Sequence, residues 1–127
     1  MAIRTELTLR LDNSPGSLAR LCQTLKAEKV NVIAFNLESS GVLHLAPDNP
    51  VHAAGLFRRE DYAVEEREVR YVSMPNSPGA LGSTTSMLSA AGVNVNYAFA
   101  SPANEQAMSA LVIAVDDAQR AATTAGM

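Results

Sequence analysis

Two short stretches carry the residue types that could do chemistry. Asn13-Ser14-Pro15-Gly16-Ser17-Leu18 and Asn76-Ser77-Pro78-Gly79-Ala80-Leu81 each set an amide, a hydroxyl and a glycine ahead of a helical pattern. The chemistry they point to is binding. A glycine at the first turn of a helix leaves space for a ligand or another backbone to approach closely. The N–H groups near residues 16–18 and 79–81 favour a carboxylate through hydrogen bonding and the helix dipole. Asn13 and Asn76 each add a donor and an acceptor at the rim, enough to read the two ends of a free amino acid. Asp12 can attract an ammonium group and Ser17 offers a hydroxyl, whereas Pro75 and Ala80 hold the matching places in the second stretch. The first loop is therefore expected to be the more polar, and the two unequal in affinity. The competing explanation is that Pro and Gly merely start a helix.

Other constellations are poorer. His44 and His52 have no cysteine or second histidine at a metal-ligand spacing and read as surface or structural residues. The acidic run Glu60–Glu68 is broken by Arg67 and apolar residues, which suits a solvated edge better than a catalytic pair. Neither glycine turn has the spacing or the lysine of a phosphate-binding loop. No catalytic residue, metal or cofactor is expected.

The loops need a strand before them and a helix after. Ile3, Leu7, Leu9 and Leu11 alternate with Arg4, Thr8 and Arg10, the period of a half-buried strand. Leu18, Leu21, Cys22 and Leu25 then fall on one face of a helix. Ser14 is its expected N-cap and Pro15 its first residue, where the missing N–H would have no partner anyway. Residues 30–38 read as a second strand, which Ser39-Ser40-Gly41 turns back into a third at 42–46. Asp48 or Asn49 caps a second helix, with Pro50 in its first turn, ending near Arg59. Residues 61–66 supply a short last strand. This α+β order, βαββαβ, packs as one antiparallel sheet with both helices on one face, the ferredoxin-like arrangement.

Laid over 76–98 without a gap, residues 13–35 match at ten of 23 positions, so the chain is an internal duplication. The first unit is 1–66 and the second 67–127. In the second, strands fall at 67–74, 93–101 and 107–115 and a helix at 79–91. A long hairpin occupies 101–106, a second helix begins at 116–125, and the last strand is missing. Strand 67–74 should then lack its outer neighbour, an edge that soluble proteins blunt or pair. Val69 and Tyr71 alternate with Val72 and Met74, so both faces of this sheet look apolar and want cover. Both features point to a homodimer.

Composition agrees with a packed protein: 47% apolar and 18% charged over 127 residues. Halves of about 60 residues are near the lower limit for a lone core, so each should lean on the other or on a second chain. A formal charge of −3 with three Tyr, three Phe and no Trp gives no footprint for nucleic acid. The lone Cys22 excludes an intramolecular disulfide and suits a reducing compartment. No signal peptide or bilayer-spanning run is visible, so a cytoplasmic location without membrane attachment is expected.

A strand ending in Asn-x-Pro-Gly-x-Leu, a helix, then a Val-Asn-Val strand resembles the ACT domain, a small regulatory module of amino-acid metabolism. Both hexapeptides match, followed by Val30-Asn31-Val32 and Val93-Asn94-Val95. The resemblance implies a tandem, stand-alone ACT protein, not an enzyme. It implies amino-acid binding between the Asp12–Leu18 and Asn76–Leu81 loops and the second strands of neighbouring modules. Carried over, that adds Asn31, Val32 and Ile33, and Asn94, Val95 and Asn96. The function implied is an amino-acid sensor. The alternatives are a regulatory subunit docked on a biosynthetic enzyme, such as one of branched-chain synthesis, or a dimerisation module without a ligand.

Overall fold

Alternating apolar residues and three amphipathic segments yield nine elements in a computed structural model that describes residues 2–100 and 108–116. In chain order they are β1 (Ala2–Arg10), α1 (Ser17–Ala27), β2 (Val32–Leu37), β3 (Val42–Pro47), α2 (Pro50–Arg59), β4 (Glu65–Pro75), α3 (Ala80–Ala90), β5 (Val95–Ala100) and β6 (Met108–Val115). They form two compact units. One is Thr5–Arg67; the other joins Met1–Arg4 to Glu68–Met127.

In the first unit β3 lies between β2 and β1, antiparallel to both, with Leu7 opposite Leu45 and Leu9 opposite Leu43. Those four leucines, Leu21 and Leu25 of α1 and Ala53, Leu56 and Phe57 of α2 make one buried cluster. Asn49 caps α2 by accepting the His52 N–H at 3.2 Å, with Pro50 in the first turn, as expected. The second unit repeats the plan in the order β4-β6-β5. Leu88 of α3 is buried with Leu111, Ile113 and Val115, while Ala110, Val112 and Ala114 on the other side of β6 are buried too. Both faces of β6 are thus buried within the single chain, so this strand does not need the second chain that the apolar pattern points to for its cover.

Three expectations change. Ser14 is not the N-cap of α1 and Pro15 is not helical: the cap is Gly16, and the helix begins at Ser17. Residues 61–66 do not make a separate strand. Asp61 to Val64 lie outside any strand, and Glu65 and Glu66 open β4, which runs unbroken through the stretch assigned to the second copy. The first strand of the second copy is not left without an outer neighbour either. Ala2–Arg4 belong to this unit on the side of β4 away from β6, and the Arg4 guanidinium sits 4.6 Å over the Tyr71 ring. The expected long hairpin at 101–106 and the second helix of this copy lie outside the described residues.

The three described helices end in the same device. The residue after the C-cap is left-handed, and the next N–H reaches back to the third-last helical carbonyl: Val30 to Leu25 at 2.9 Å, Tyr62 to Phe57 at 3.0 Å, Val93 to Leu88 at 2.9 Å. This is the Schellman arrangement, with an apolar pair across it each time. The left-handed residue is Gly92 in the second copy but Lys29 in the first, at φ +57°. A side chain with a Cβ is strained there. Lys29→Gly is expected to raise stability by about 1 kcal/mol, and Gly92→Lys to lower it comparably; urea denaturation of both variants checks the pair.

Candidate functional site

Each hexapeptide folds into a Pro-Gly turn. Gly16 has φ +87° and ψ −7°, and Gly79 φ +85° and ψ −13°. The Ser17 N–H closes on the Ser14 carbonyl at 3.3 Å, and Ala80 on Ser77 at the same distance. With proline ahead of a left-handed glycine, these are type II turns. What requires the glycine is therefore its φ, not the space it leaves. A Cβ on Gly79 would meet nothing within 4 Å, and one on Gly16 only the Arg20 guanidinium, at 3.5 Å.

The consequence for binding lies in the caps. A glycine N-cap has no side chain, and neither α1 nor α3 has a side-chain bond to its first turn, whereas α2 has Asn49. The first-turn N–H groups of α1 and α3 are open to an anion in a way those of α2 are not.

Both turns border a concavity within their own unit. The first, of about 660 Å³, is lined by Asp12, Asn13, Ser14, Gly16, Ser17 and Leu18 and, across from them, by Leu37–Ser39 and Gly41. Ser17 is buried, and its hydroxyl is 2.8 Å from that of Ser14. The second, of about 540 Å³, is lined by Ser77, Pro78, Gly79 and Ala80 together with Val72–Pro75 and Met87. Asp12 and Glu38 give the first two carboxylates and no basic side chain; no charged side chain lines the second. Leu81 is exposed where Leu18 is half-buried.

The second-strand residues are elsewhere. Asn31 and Val32 line a different concavity, with Lys26 and Lys29 at the far end of α1; the Asn31 N–H donates to the Asp48 carboxylate at 3.1 Å, and the Asn31 carbonyl accepts the Asp48 N–H at 2.9 Å. Asn94, Val95 and Asn96 are exposed, and the Asn96 amide donates to Asp116 at 3.1 Å. Neither set meets the loop of its own unit. Ile33 and Asn96 share one feature, because each is the extra residue of a bulge where β2 or β5 slips against its partner.

Sequence patterning misses the opposite wall of the first concavity. Gly41, at φ +94°, is the glycine that permits close approach: a Cβ there would collide with the Leu11 carbonyl oxygen, and the Leu11 N–H bonds the Gly41 carbonyl at 2.7 Å. Beyond it, His44 has Nε2 3.1 Å from Glu38 and Nδ1 3.1 Å from the fully buried Glu6. Alternation places His44 on a strand without revealing either partner. Among the described residues no cluster of three His, Cys, Asp or Glu side chains could hold a metal ion, and no helix is long and apolar enough to cross a membrane.

No family model matches the sequence, and no curated protein matches it. Solved structures do. A protein from Bacteroides thetaiotaomicron superposes with a TM-score of 0.87 and 26% identity, over 96% of this chain and 85% of that one. The regulatory subunit of aspartate kinase from Thermus flavus gives 0.67 and 14%, over 98% and 94%. Its ligand-free counterpart from Thermus thermophilus gives 0.68 and 13%, over 98% and 92%. The fold is the α+β fold of ACT-type regulatory domains.

The two glycine roles separate experimentally. Gly79→Ala is expected to cost about 1–2 kcal/mol, from the left-handed backbone alone. Gly41→Ala must cost more, since the hairpin also has to move off Leu11. Equal losses in urea denaturation would contradict that division.

Proposed function

We propose that the chain is a regulatory amino-acid-binding protein rather than an enzyme, made of two ACT-like units over 1–66 and 67–127. The observation that carries this is the repeated helix start without a side-chain cap, each time beside a concavity. The carboxylate of a free amino acid suits such a start, and Asn13 and Ser14 stand at the rim to orient it. Similarity in fold to chains named as regulatory subunits supports the same reading.

The residues assigned to binding are Asp12–Leu18 and Asn76–Leu81, completed from a neighbouring module by Asn31–Ile33 and Asn94–Asn96. A homodimer could supply the neighbour. β2 and β5 each end the strand order of their unit, neither carries a charged residue, and Phe35, Leu37 and Val95 stand exposed on them. An uncharged apolar edge of this kind is normally paired or covered. The second reading, a subunit docked on an amino-acid biosynthetic enzyme, draws on the relatives that are themselves kinase subunits, and it predicts co-purification with a larger catalytic chain.

A thermal-shift screen against the twenty amino acids tests the first reading, because a specific ligand raises stability by mass action. At least one should shift the transition, and Asn13→Ala should weaken that amino acid roughly 5- to 30-fold, the worth of one lost hydrogen bond. Calorimetry should resolve two unequal sites per chain; two identical ones would count against the polar difference between the loops. Sedimentation at micromolar concentration should give twice the chain mass of 13.4 kDa, and a stable species at the single mass would remove the dimer.

A further inference from the structure

The hairpin wall of the first concavity holds a carboxylate in a way that the turn itself does not need. Glu38 follows β2, with its N–H on the Val42 carbonyl and its carbonyl taking the Gly41 N–H, both at 2.9 Å. Its side chain is fixed as well, since Oε2 lies 3.1 Å from His44 Nε2. The other ring nitrogen is 3.1 Å from Oε1 of Glu6, with the Thr8 hydroxyl at 3.4 Å. Glu6 is fully buried and His44 nearly so, whereas the Glu38 side chain is about half exposed. The imidazole thus joins a carboxylate inside the protein to one at the rim of the concavity.

We propose that Glu38 reads the α-ammonium group of an amino acid bound at the first turn, that His44 positions Glu38 for this, and that the amino acid has an aliphatic side chain. The inference rests on the amino-acid-binding reading above and goes further in naming the ligand class and the specificity residue. If the carboxylate of a zwitterion occupies the start of α1, its ammonium needs an acceptor elsewhere in the same concavity. Asp12 and Glu38 are the two carboxylates that line it, and no basic side chain competes for them. Asp12 is exposed, and among the described residues none holds its side chain, while Glu38 is anchored through Oε2 and keeps Oε1 to offer. An acceptor already fixed loses less conformational entropy on binding. Leu11, Leu18 and Leu37 line the remainder, a surface that suits a branched or straight hydrocarbon side chain. The second concavity has no charged side chain, so it lacks an equivalent reader for the ammonium.

Calorimetry with two probes decides the matter: L-leucine, and L-2-hydroxy-4-methylpentanoate, which carries a hydroxyl in place of the ammonium. The wild-type protein should bind leucine more tightly by roughly 10- to 100-fold, the range for a hydrogen bond to a charged group. Glu38→Gln should remove most of that preference by weakening leucine while leaving the hydroxy acid unchanged. His44→Gln should weaken leucine to a lesser degree, and should have no further effect once Glu38 is Gln, because the two act as one unit. A purely structural role would lower both probes alike in every variant, and that pattern overturns the proposal, as does a Glu38→Gln protein that keeps its preference. Unliganded melting curves show whether each variant is folded. If leucine and the other aliphatic amino acids fail to bind while a polar or charged one binds in an Asn13-dependent way, the aliphatic assignment falls and the general reading stands. If none of the twenty binds, both fall.

Discussion

A left-handed glycine between a strand and a helix is the constraint on which the rest of this protein depends. Gly16 and Gly79 adopt nearly the same φ and ψ, although the helices that follow share few residues. The turn sets where the helix starts. It also leaves the first helical turn without a side chain to satisfy its N–H groups, an incomplete arrangement that water or a ligand must finish. Helix α2, which starts on Asn49 with a side-chain bond, shows that the same chain also builds a closed helix start.

Much of the architecture is legible in the sequence because its signals are periodic. Leu7 and Leu9 against Leu43 and Leu45, and Leu21 and Leu25 on α1, lie where alternation and helical spacing put them. The N-cap is misplaced by two residues, because Ser14-Pro15 fits both the helix-start rule and the type II turn. Only the glycine φ separates the two. The start of β4 is placed too early for a similar reason, since residues 61–66 match the length expected of a closing strand while Asp61 is taken up in ending α2. The hairpin wall of the first concavity carries no periodic signal at all. Glu38 and His44 meet across a turn, Glu6 joins them from another strand, and only strand register brings the three together.

The two copies have diverged in a consistent direction. In the first, Ser17, Leu21 and Leu25 are buried on α1, Ser14 bonds Ser17, and two carboxylates line the concavity. In the second, α3 buries only Thr84 and Leu88, Ala80 replaces the hydroxyl, and the concavity carries no charge. The backbone plan is kept where φ demands it, at the turn and at the helix end, while side chains that meet solvent or a ligand have been free to change. A duplicated gene can in this way keep one folding solution and acquire two chemical surfaces.

The composition of the second unit has a consequence for how the protein is made. Ala2–Arg4 belong with Glu68 and the residues after it, so this unit is assembled from two segments with the whole first unit between them in the chain. During synthesis Ala2–Arg4 must wait for more than sixty later residues before their partners exist, a long-range closure of the kind that slows folding. No cut between the repeats yields the second copy whole, and any extension fused before Met1 is attached, in structural terms, to the C-terminal half.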